Sequence, residues 1–392
     1  MADQTTTIIK GWKMTPLGEM GVAITGKTPS KDNPSDWGDF LDFITPTDIV
    51  SDSKYLNNVA RKLSEDGANR FKKMIIPPKS VVVTCIGSDM GKVVMNRNEA
   101  LTNQQINSIK INSKNDKDYI FYLLKNSYTI LRNIAVGGST MPILNKTTFE
   151  SLEFLTAPLT EQRAIAAVLS SLDDKIELLR EQNKTLEATA QAIFKEWFVN
   201  FNFPGATGKT IDSELGKIPE GWRVGKLGEE FKIEYGKSDK NFDADGLHPV
   251  YGAGGIVGYS NFADYRDYQV IIGCRGTCGN ITLAYEDSKI THNSLIISSD
   301  WFKPFIYLYL HSVDIGKAIT GSTQPQITIG DLDNIEILIP QNKIVSTFVE
   351  IIAPIFKKKG NNNSQIQTLA TFRDALLPKL MKGELRVNGF ID

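Results

Sequence analysis

The 392-residue sequence contains only three cysteines and three histidines, and neither sign of charge is in excess. Three cysteines cannot form a disulfide framework, and the spacing of Cys274 and Cys278 differs from that of a zinc knuckle or a redox pair. The histidines lack the spacing of metal ligands, so we expect no metal site. Because 44 basic residues are balanced by 45 acidic ones, the chain has no general cationic field, and any nucleic-acid site must be local.

Long apolar runs are also missing. The longest apolar run near a helix, residues 164–172, is far shorter than the ~20 residues that span a bilayer. The first residues lack the basic and apolar regions of an export signal. We therefore expect a cytoplasmic protein without a membrane span. Apolar residues make up 41% of the chain, which is typical of proteins with real cores and excludes general disorder.

The sequence does contain an internal repeat. GWKMTPLGEM at residues 11–20 matches GWRVGKLGEE at 221–230, and VVVTCIGS at 81–88 matches VIIGCRGT at 270–277. A period of about 200 residues is too long for a solenoid, so it predicts a duplicated domain with pseudo-twofold symmetry. Short β-branched runs bounded by Gly, Pro, Asn or Asp predict strands. Each half is therefore expected to be a mixed α/β domain.

Each half ends in a helical segment with a heptad pattern. In the first segment, apolar residues recur at steps of 4 and 3 over more than four heptads, which predicts a partner helix rather than packing on one globule. Asn183 is a polar seam residue of the kind that fixes register. The predicted seam consists of Ile165, Leu169, Leu172, Ile176, Leu179, Asn183, Leu186, Ile193 and Trp197.

The second helical segment is expected to pair with the first as an antiparallel coiled coil. Its predicted seam consists of Phe348, Ile351, Ile355, Leu369, Phe372 and Leu376. The sequence KKKGNNNSQ at residues 357–365 interrupts the apolar pattern. Because glycine and asparagine are poor helix formers, we expect a frayed or bent stretch there.

The predicted fold is thus α+β, with two repeated mixed α/β domains separated by two long helices. Residues 203–220 are rich in Gly, Pro and polar residues and are assigned to a linker. PGATGKT in this linker ends like a phosphate loop but lacks the earlier glycine and the preceding strand. The other predicted boundaries are 1–158 for the first domain, 159–202 for the central helix, 221–340 for the second domain and 341–392 for the C-terminal helix.

Several motifs occur in a fixed order along the chain. They are FITPTDI at 43–49, LTNQQI at 101–106, GGSTMP at 137–142, PLTEQRAI at 158–165, LGKIPEGW at 215–222, TGSTQP at 320–325 and LLPKLMKGELRV at 376–387. In this order they resemble the specificity subunit of a type I restriction–modification system, over essentially the whole chain.

The resemblance implies a non-catalytic DNA-recognition subunit with two target-recognition domains and two spacer helices. It also implies binding to double-stranded DNA, to two methylation subunits and to two restriction (motor-nuclease) subunits. S-adenosylmethionine, ATP and Mg would then be held by those partners, and no cofactor by this chain. Because the two halves differ between their shared landmarks, we expect an asymmetric target in two parts, whereas a homodimer would read a palindrome.

Candidate DNA-binding residues follow turns and strands at matched places in the two halves. Arg and Lys suit guanine, and Asn and Gln suit adenine, although polar residues after turns often only contact water and lysines favour phosphate. The candidates are Lys27, Ser30, Lys31, Ser88, Lys92, Gln104 and Gln105 in the first half, and Lys237, Tyr251, Arg275, Thr277, Asn293 and Ser294 in the second.

GGSTMP and TGSTQP occur in both halves, so they cannot be the main readers if the two half-sites differ. For them we favour a turn that fixes the entry to the final strand. Residues 1–155 hold 19 basic and 16 acidic side chains, whereas residues 216–345 hold 12 and 16. The net acidic second half suggests that bound partners supply much of the cationic surface.

Two alternatives stay open at this point. One is a coiled-coil scaffold that binds proteins without recognising DNA, and the other is an enzyme whose site has no recognisable motif. Two protected DNA tracts separated by a fixed gap are required by the DNA-recognition hypothesis and by neither alternative.

Overall fold

The computed structural model describes residues 9–49, 53–87, 90–133, 144–243 and 246–387. The chain divides into two compact units: Met1–Leu178 with Ile366–Asp392, and Leu179–Gln365. Each unit contains one α+β domain and part of each of two long helices, so the predicted α+β fold with two repeated domains and long helices is confirmed.

The first unit contains two four-stranded sheets and a two-stranded pair. One sheet has the antiparallel order β2-β9-β6-β7, the other has the order β3-β5-β4-β8 with β4 parallel to β8, and β1 pairs with β10. The strands are β1 (Lys13–Pro16), β2 (Gly21–Thr25), β3 (Trp37–Gly38), β4 (Leu41–Ile44), β5 (Arg61–Leu63), β6 (Val81–Thr84), β7 (Val93–Met95), β8 (Ala100–Thr102), β9 (Ile106–Ile111) and β10 (Glu153–Thr156).

Helices pack on the sheets of the first unit, and the last of them, α6, is the first of the two long helices. Every residue of β6 is buried, and so are residues 119–124 of helix α3. These helix residues are apolar without interruption because this part of α3 is surrounded by the core. The helices are α1 (Leu17–Met20), α2 (Glu65–Arg70), α3 (Lys117–Asn126), α4 (Tyr128–Asn133), α5 (Lys146–Ser151) and α6 (Leu159–Phe194). One π turn, Lys195–Val199, extends α6.

The second unit has a similar topology, although its second sheet has three strands in the described residues and β11 and β12 form an additional pair. Its sheets have the orders β14-β20-β17-β18 and β16-β15-β19, with β15 parallel to β19, and β13 pairs with β21. The strands are β11 (Thr210–Ser213), β12 (Gly216–Pro219), β13 (Arg223–Lys226), β14 (Lys232–Tyr235), β15 (His248–Gly252), β16 (Gly255–Ser260), β17 (Gln269–Gly273), β18 (Ile281–Ala284), β19 (Lys289–Ile290), β20 (Ser294–Ser298) and β21 (Glu336–Ile339). The helices are α7 (Leu227–Glu230), α8 (Lys303–Leu310), α9 (Ile329–Asp333) and α10 (Asn342–Met381).

In each unit, α6 and α10 run antiparallel and contribute to the local core. In the first unit, Leu169 of α6 and Leu377 of α10 belong to one buried cluster. In the second, Phe194 of α6 and Phe348 of α10 pack ring against ring, with centroids 5.8 Å apart. In the second unit, Asn183 contacts Asn363, Glu187 contacts Lys359 and Phe194 contacts Phe348. The α6 partner moves up the sequence as the α10 partner moves down it, so the two helices are antiparallel.

The seam residues predicted from the heptads have a range of exposures. Buried ones are Ile165, Leu169, Ile176, Leu179, Trp197 and Phe348, and half-buried ones are Leu172, Asn183, Leu186, Ile193, Ile355, Leu369 and Leu376. Ile351 and Phe372 differ from the predicted seam, because both are exposed and their neighbours Ile352 and Arg373 are buried in their place.

The prediction of a frayed or bent stretch at residues 357–365 was wrong, since α10 runs through it without a break. Tertiary contacts replace the missing propensity. The Asn362 side-chain amide donates to Asn183 at 2.9 Å, and the Asn183 amide donates to Asn363 at 2.7 Å. Gly360 lies beside Tyr285 of the domain.

Candidate nucleic-acid interface

In the first unit, three turns lie next to one another where strands β2, β9 and β6 reach the same end of their sheet. The first follows β2, and the second (residues 103–105) precedes β9. The third follows β6 and is named here the Cys85 loop (residues 85–91, of which 88 and 89 lie outside the described residues). The Thr28 hydroxyl donates to the side-chain oxygen of Gln104 at 2.6 Å, which joins the first turn to the second. The backbone N–H of Cys85 donates to the Gln105 carbonyl at 2.8 Å, which joins the second to the third.

The second unit brings the equivalent turns together. The loop between β17 and β18 is named the Cys274 loop (residues 274–279). The backbone N–H of Cys274 donates to the Asn293 carbonyl at 2.9 Å, and that of Gly236, after β14, donates to the Ser294 carbonyl at 2.9 Å. Strand order and backbone contacts therefore place the same three turns side by side in both domains.

The Cys85 and Cys274 loops are anchored by the same backbone hydrogen bonds. Each begins at a buried cysteine, accepts a hydrogen bond from an incoming segment, and closes through a glycine with positive φ. The matched donor–acceptor pairs are Cys85–Gln105 and Cys274–Asn293, Leu144–Cys85 and Ile327–Cys274, Gly91–Thr84 and Gly279–Gly273, and Thr84–Lys92 and Gly273–Asn280, all between 2.8 and 3.0 Å. The scaffold of the loop is thus shared by the two domains.

The two anchoring cysteines are core residues. Burial raises the pKa of the Cys85 thiol to about 12 and also raises the pKa of Cys274. Both thiols therefore stay protonated near neutral pH, which disfavours a nucleophilic or metal-binding role. In the described ranges there is no group of three or more His, Cys, Asp or Glu side chains that could hold a metal ion.

The structure places the first-half candidates around these turns. Lys27, Ser30, Lys31 and Gln104 are exposed, and Lys92 and Gln105 are half-buried. The Lys92 backbone N–H donates to the Thr84 hydroxyl at 3.0 Å, which leaves its side chain at the end of the Cys85 loop. Ser88 lies outside the described residues, as does GGSTMP at 137–142.

In the second half, Lys237, Arg275 and Thr277 are exposed and Asn293 is half-buried. Tyr251 and Ser294 are corrections to the predicted set, because Tyr251 is only 5% exposed and Ser294 is fully buried. Buried side chains cannot contact a base without opening the core. The Tyr251 hydroxyl instead donates to Glu286 at 3.4 Å, and burial raises the pKa values of both groups.

The TGSTQP turn supports the Cys274 loop from outside. The Cys278 thiol donates to the Pro325 carbonyl at 2.9 Å, and Arg275 forms an isolated β-bridge with Gln326. This packing agrees with the structural role that the sequence favoured for the motif.

Sequence reasoning overlooked Ile86. The repeat aligns CIGS with CRGT and so makes Ile86 equivalent to Arg275. Ile86 was not among the candidates because they were chosen for polar side chains. It also overlooked the buried charges of the helices, Glu161 and Asp173, which pair with Arg386 and Arg373.

No helix in the described part of the chain is long and apolar enough to cross a membrane.

Comparison with known proteins identifies what this architecture is similar to. A family model described as "Type I restriction modification DNA specificity domain" matches residues 9–188 and 219–369. The MjaIX type I restriction enzyme specificity subunit of Methanocaldococcus jannaschii is 30% identical, covering 97% of this chain and 95% of its own. The HindI specificity subunit of Haemophilus influenzae is 38% identical, covering 38% of this chain and 32% of its own.

A solved structure has a similar fold. The crystal structure of the type I restriction–modification S subunit from M. genitalium matches with a TM-score of 0.57 and 17% sequence identity, covering 97% of this chain and 98% of that one.

Proposed function

The chain belongs to the family of type I restriction–modification DNA specificity subunits, and from this premise we propose that its two domains read two different half-sites of one asymmetric DNA target. One observation carries the proposal. The Cys85 and Cys274 loops share their backbone hydrogen bonds but differ in their side chains, with a half-buried Ile86 in one loop and an exposed Arg275 in the other. A common scaffold with different side chains is what two related readers of different sequences require.

In this proposal the long helices set the gap between the half-sites. At 1.5 Å per residue, the 36 residues of α6 and the 40 residues of α10 correspond to about 54 and 60 Å. Each helix contributes buried residues to both hydrophobic cores, Leu169 and Phe194 in α6 and Leu377 and Phe348 in α10. A spacer built into both cores supports a fixed gap better than a flexible linker does.

The chain is proposed to bind double-stranded DNA without catalysing a reaction and to assemble with two methylation subunits and two restriction subunits in the cytoplasm. S-adenosylmethionine, ATP and Mg would be held by those partners. The methylation subunit would have to flip the target adenine out of the duplex. The net acidic second domain supports this division of labour, because partners can supply cationic surface that this chain lacks.

Footprinting of the reconstituted complex tests the proposal. We expect two protected tracts separated by a constant gap on DNA from the host. Absence of protection, with the partner subunits still bound, would instead support a coiled-coil scaffold that binds proteins without recognising DNA.

Adding one heptad to both helices is expected to lengthen the gap by about three base pairs, because seven residues add about 10 Å and each base pair rises about 3.4 Å. Insertions after Leu179 in α6 and after Ile366 in α10 lie, along each helix, between the residues of the contacts Asp173–Arg373 and Asn183–Asn363, so neither contact is interrupted. Methylation-sensitive sequencing of DNA modified by the variant gives the gap directly.

Two control variants accompany this insertion. Seven residues added to the exposed linker at 205–208 should leave the gap unchanged. The same insertion in α6 alone should disrupt the helix pair. An unchanged gap in the double insertion would refute the spacer role.

Exchanging residues 221–340 for those of another family member is expected to change one half-site only, because the two domains have separate cores. The recognised sequence of the chimaeric complex can be read from its methylation pattern. A change in both half-sites would show that the domains do not read independently.

A further inference from the structure

The residue that follows the anchoring cysteine occupies an equivalent position in the two domains. Ile86 follows Cys85 and Arg275 follows Cys274, and the hydrogen bonds on both sides of the cysteines are matched. Each is followed by a glycine with positive φ, +65° at Gly87 and +85° at Gly276. A Cβ built on either glycine would meet no atom within 4 Å, so that side of the backbone borders open space in both loops.

The two side chains at this position differ completely in chemistry. Arg275 is exposed and Ile86 is half-buried. Among the described residues, no carboxylate forms an ion pair with the Arg275 guanidinium, whereas Arg223 pairs with Glu230 and Arg266 with Asp287. Arg275 is therefore the arginine of the second domain whose donors stay available to a ligand.

We propose that this position selects one base pair in each half-site, with Arg275 selecting guanine in one and Ile86 favouring thymine in the other. The inference rests on the proposed function and adds the identity of the bases. A guanidinium donates two parallel hydrogen bonds to O6 and N7 of guanine, and no other base edge in the major groove offers this pair of acceptors. An isoleucine offers no hydrogen bond, and its apolar surface matches the thymine methyl group.

The position also suits discrimination rather than general affinity. The bordering turns hold Gln105 and Asn293, whose carbonyls fix the cysteines, so the loop backbone is held before DNA arrives. A loop backbone that is already held loses less conformational entropy on binding, so less of the energy of the base contact is offset by ordering the loop.

Arg275→Ile is the central test, measured as methylation or binding by the reconstituted complex on a library of targets. We expect loss of guanine preference at one position of one half-site, with discrimination falling by about 10- to 100-fold, and no change in the other half-site. Arg275→Lys keeps the charge and can still donate to guanine but lacks the rigid paired donors, so it should retain affinity and lose part of the discrimination. Arg266→Gln, which removes a paired surface charge from the same domain, should leave base preference unchanged.

Modified bases test the same contact without altering the fold. Replacing one guanine with 7-deazaguanine removes the N7 acceptor and should weaken the wild-type complex at one position, but not the Arg275→Ile complex. Replacing one thymine of the other half-site with deoxyuridine removes the methyl group and should weaken the wild-type complex about fourfold, but not an Ile86→Ala complex.

The outcomes separate the inference from the proposed function. A complex that fails to protect two DNA tracts would overturn both. Two protected tracts with unchanged base preference in Arg275→Ile would overturn the inference alone. Equal weakening on every sequence would place Arg275 on phosphate and also overturn it.

Discussion

Replacing Arg373 with methionine is expected to lower the free energy of unfolding of the first unit by about 3–5 kcal/mol, because it leaves the Asp173 carboxylate buried without its counter-ion. The two side chains are 6% and 5% exposed, and Nη1 of Arg373 lies 2.6 Å from Oδ1 of Asp173. The Tyr122 hydroxyl donates to the other carboxylate oxygen at 2.5 Å. With both oxygens in these contacts, the carboxylate is almost completely buried.

The double variant Asp173→Asn, Arg373→Met should recover most of this loss, since a neutral amide still accepts from Tyr122 and no charge stays buried. Hydrogen exchange of α6 peptides up to residue 178 measures the effect, and peptides from the second unit serve as internal reference. Arg97→Met is the control, because it breaks a more exposed ion pair with Glu177, which lies on α6 as Asp173 does. This variant should lower the free energy of unfolding by less than about 1 kcal/mol. Equal losses in Arg97→Met and Arg373→Met would contradict the prediction.

Replacing Phe348 with alanine is expected to destabilise the second unit by about 3–5 kcal/mol, because a fully buried ring would leave a cavity. Its ring centroid lies 5.0 Å from that of Phe198, 5.4 Å from Trp197 and 5.8 Å from Phe305. These rings lie on α8 of the domain and on the π turn that extends α6, so several elements would have to move together to fill the cavity.

Phe372→Ala is the matched control for this variant. Phe372 was predicted as a seam residue by the same heptad argument, but its side chain is 55% exposed. Its truncation should change stability by no more than about 0.5 kcal/mol. Denaturant unfolding of both variants checks the contrast, and a loss for Phe372→Ala comparable to that for Phe348→Ala would show that the heptad pattern had located the seam correctly there.

The heptad pattern predicted where the two long helices lie in the sequence, but it did not predict every residue of their buried faces. Phe348, Ile351, Ile352, Ile355 and Phe356 are all apolar, so both a step of three and a step of four satisfy the sequence. The structure buries Ile352 and Phe356 because α10 packs on the domain as well as on α6, which favours a wider apolar stripe than a two-helix seam.

Buried charges escaped the sequence argument for a different reason. Arg373 and Asp173 are 200 residues apart along the chain, and nothing in either local segment identifies the partner. Charged residues are ordinarily assigned to the surface. Only the antiparallel pairing of α6 and α10 brings the two together.

The candidate interface could be predicted in outline. The internal repeat aligned Cys85 with Cys274 and pointed to turns after strands, and strand order then brought those turns to one edge. Selecting polar residues admitted Tyr251 and Ser294, which lie on inner strands of two different sheets, and omitted the apolar Ile86. Burial depends on neighbouring strands that a single segment of sequence does not reveal.

The division of the chain into units has a consequence for synthesis on the ribosome. The second unit is one continuous stretch, Leu179–Gln365, whereas the first also needs Ile366–Asp392. Leu377 and Leu380 of the first core are translated only after the whole second unit. The domain that is translated first therefore completes its core last, and until then it exposes the apolar side of α6 to chaperones and to other nascent chains.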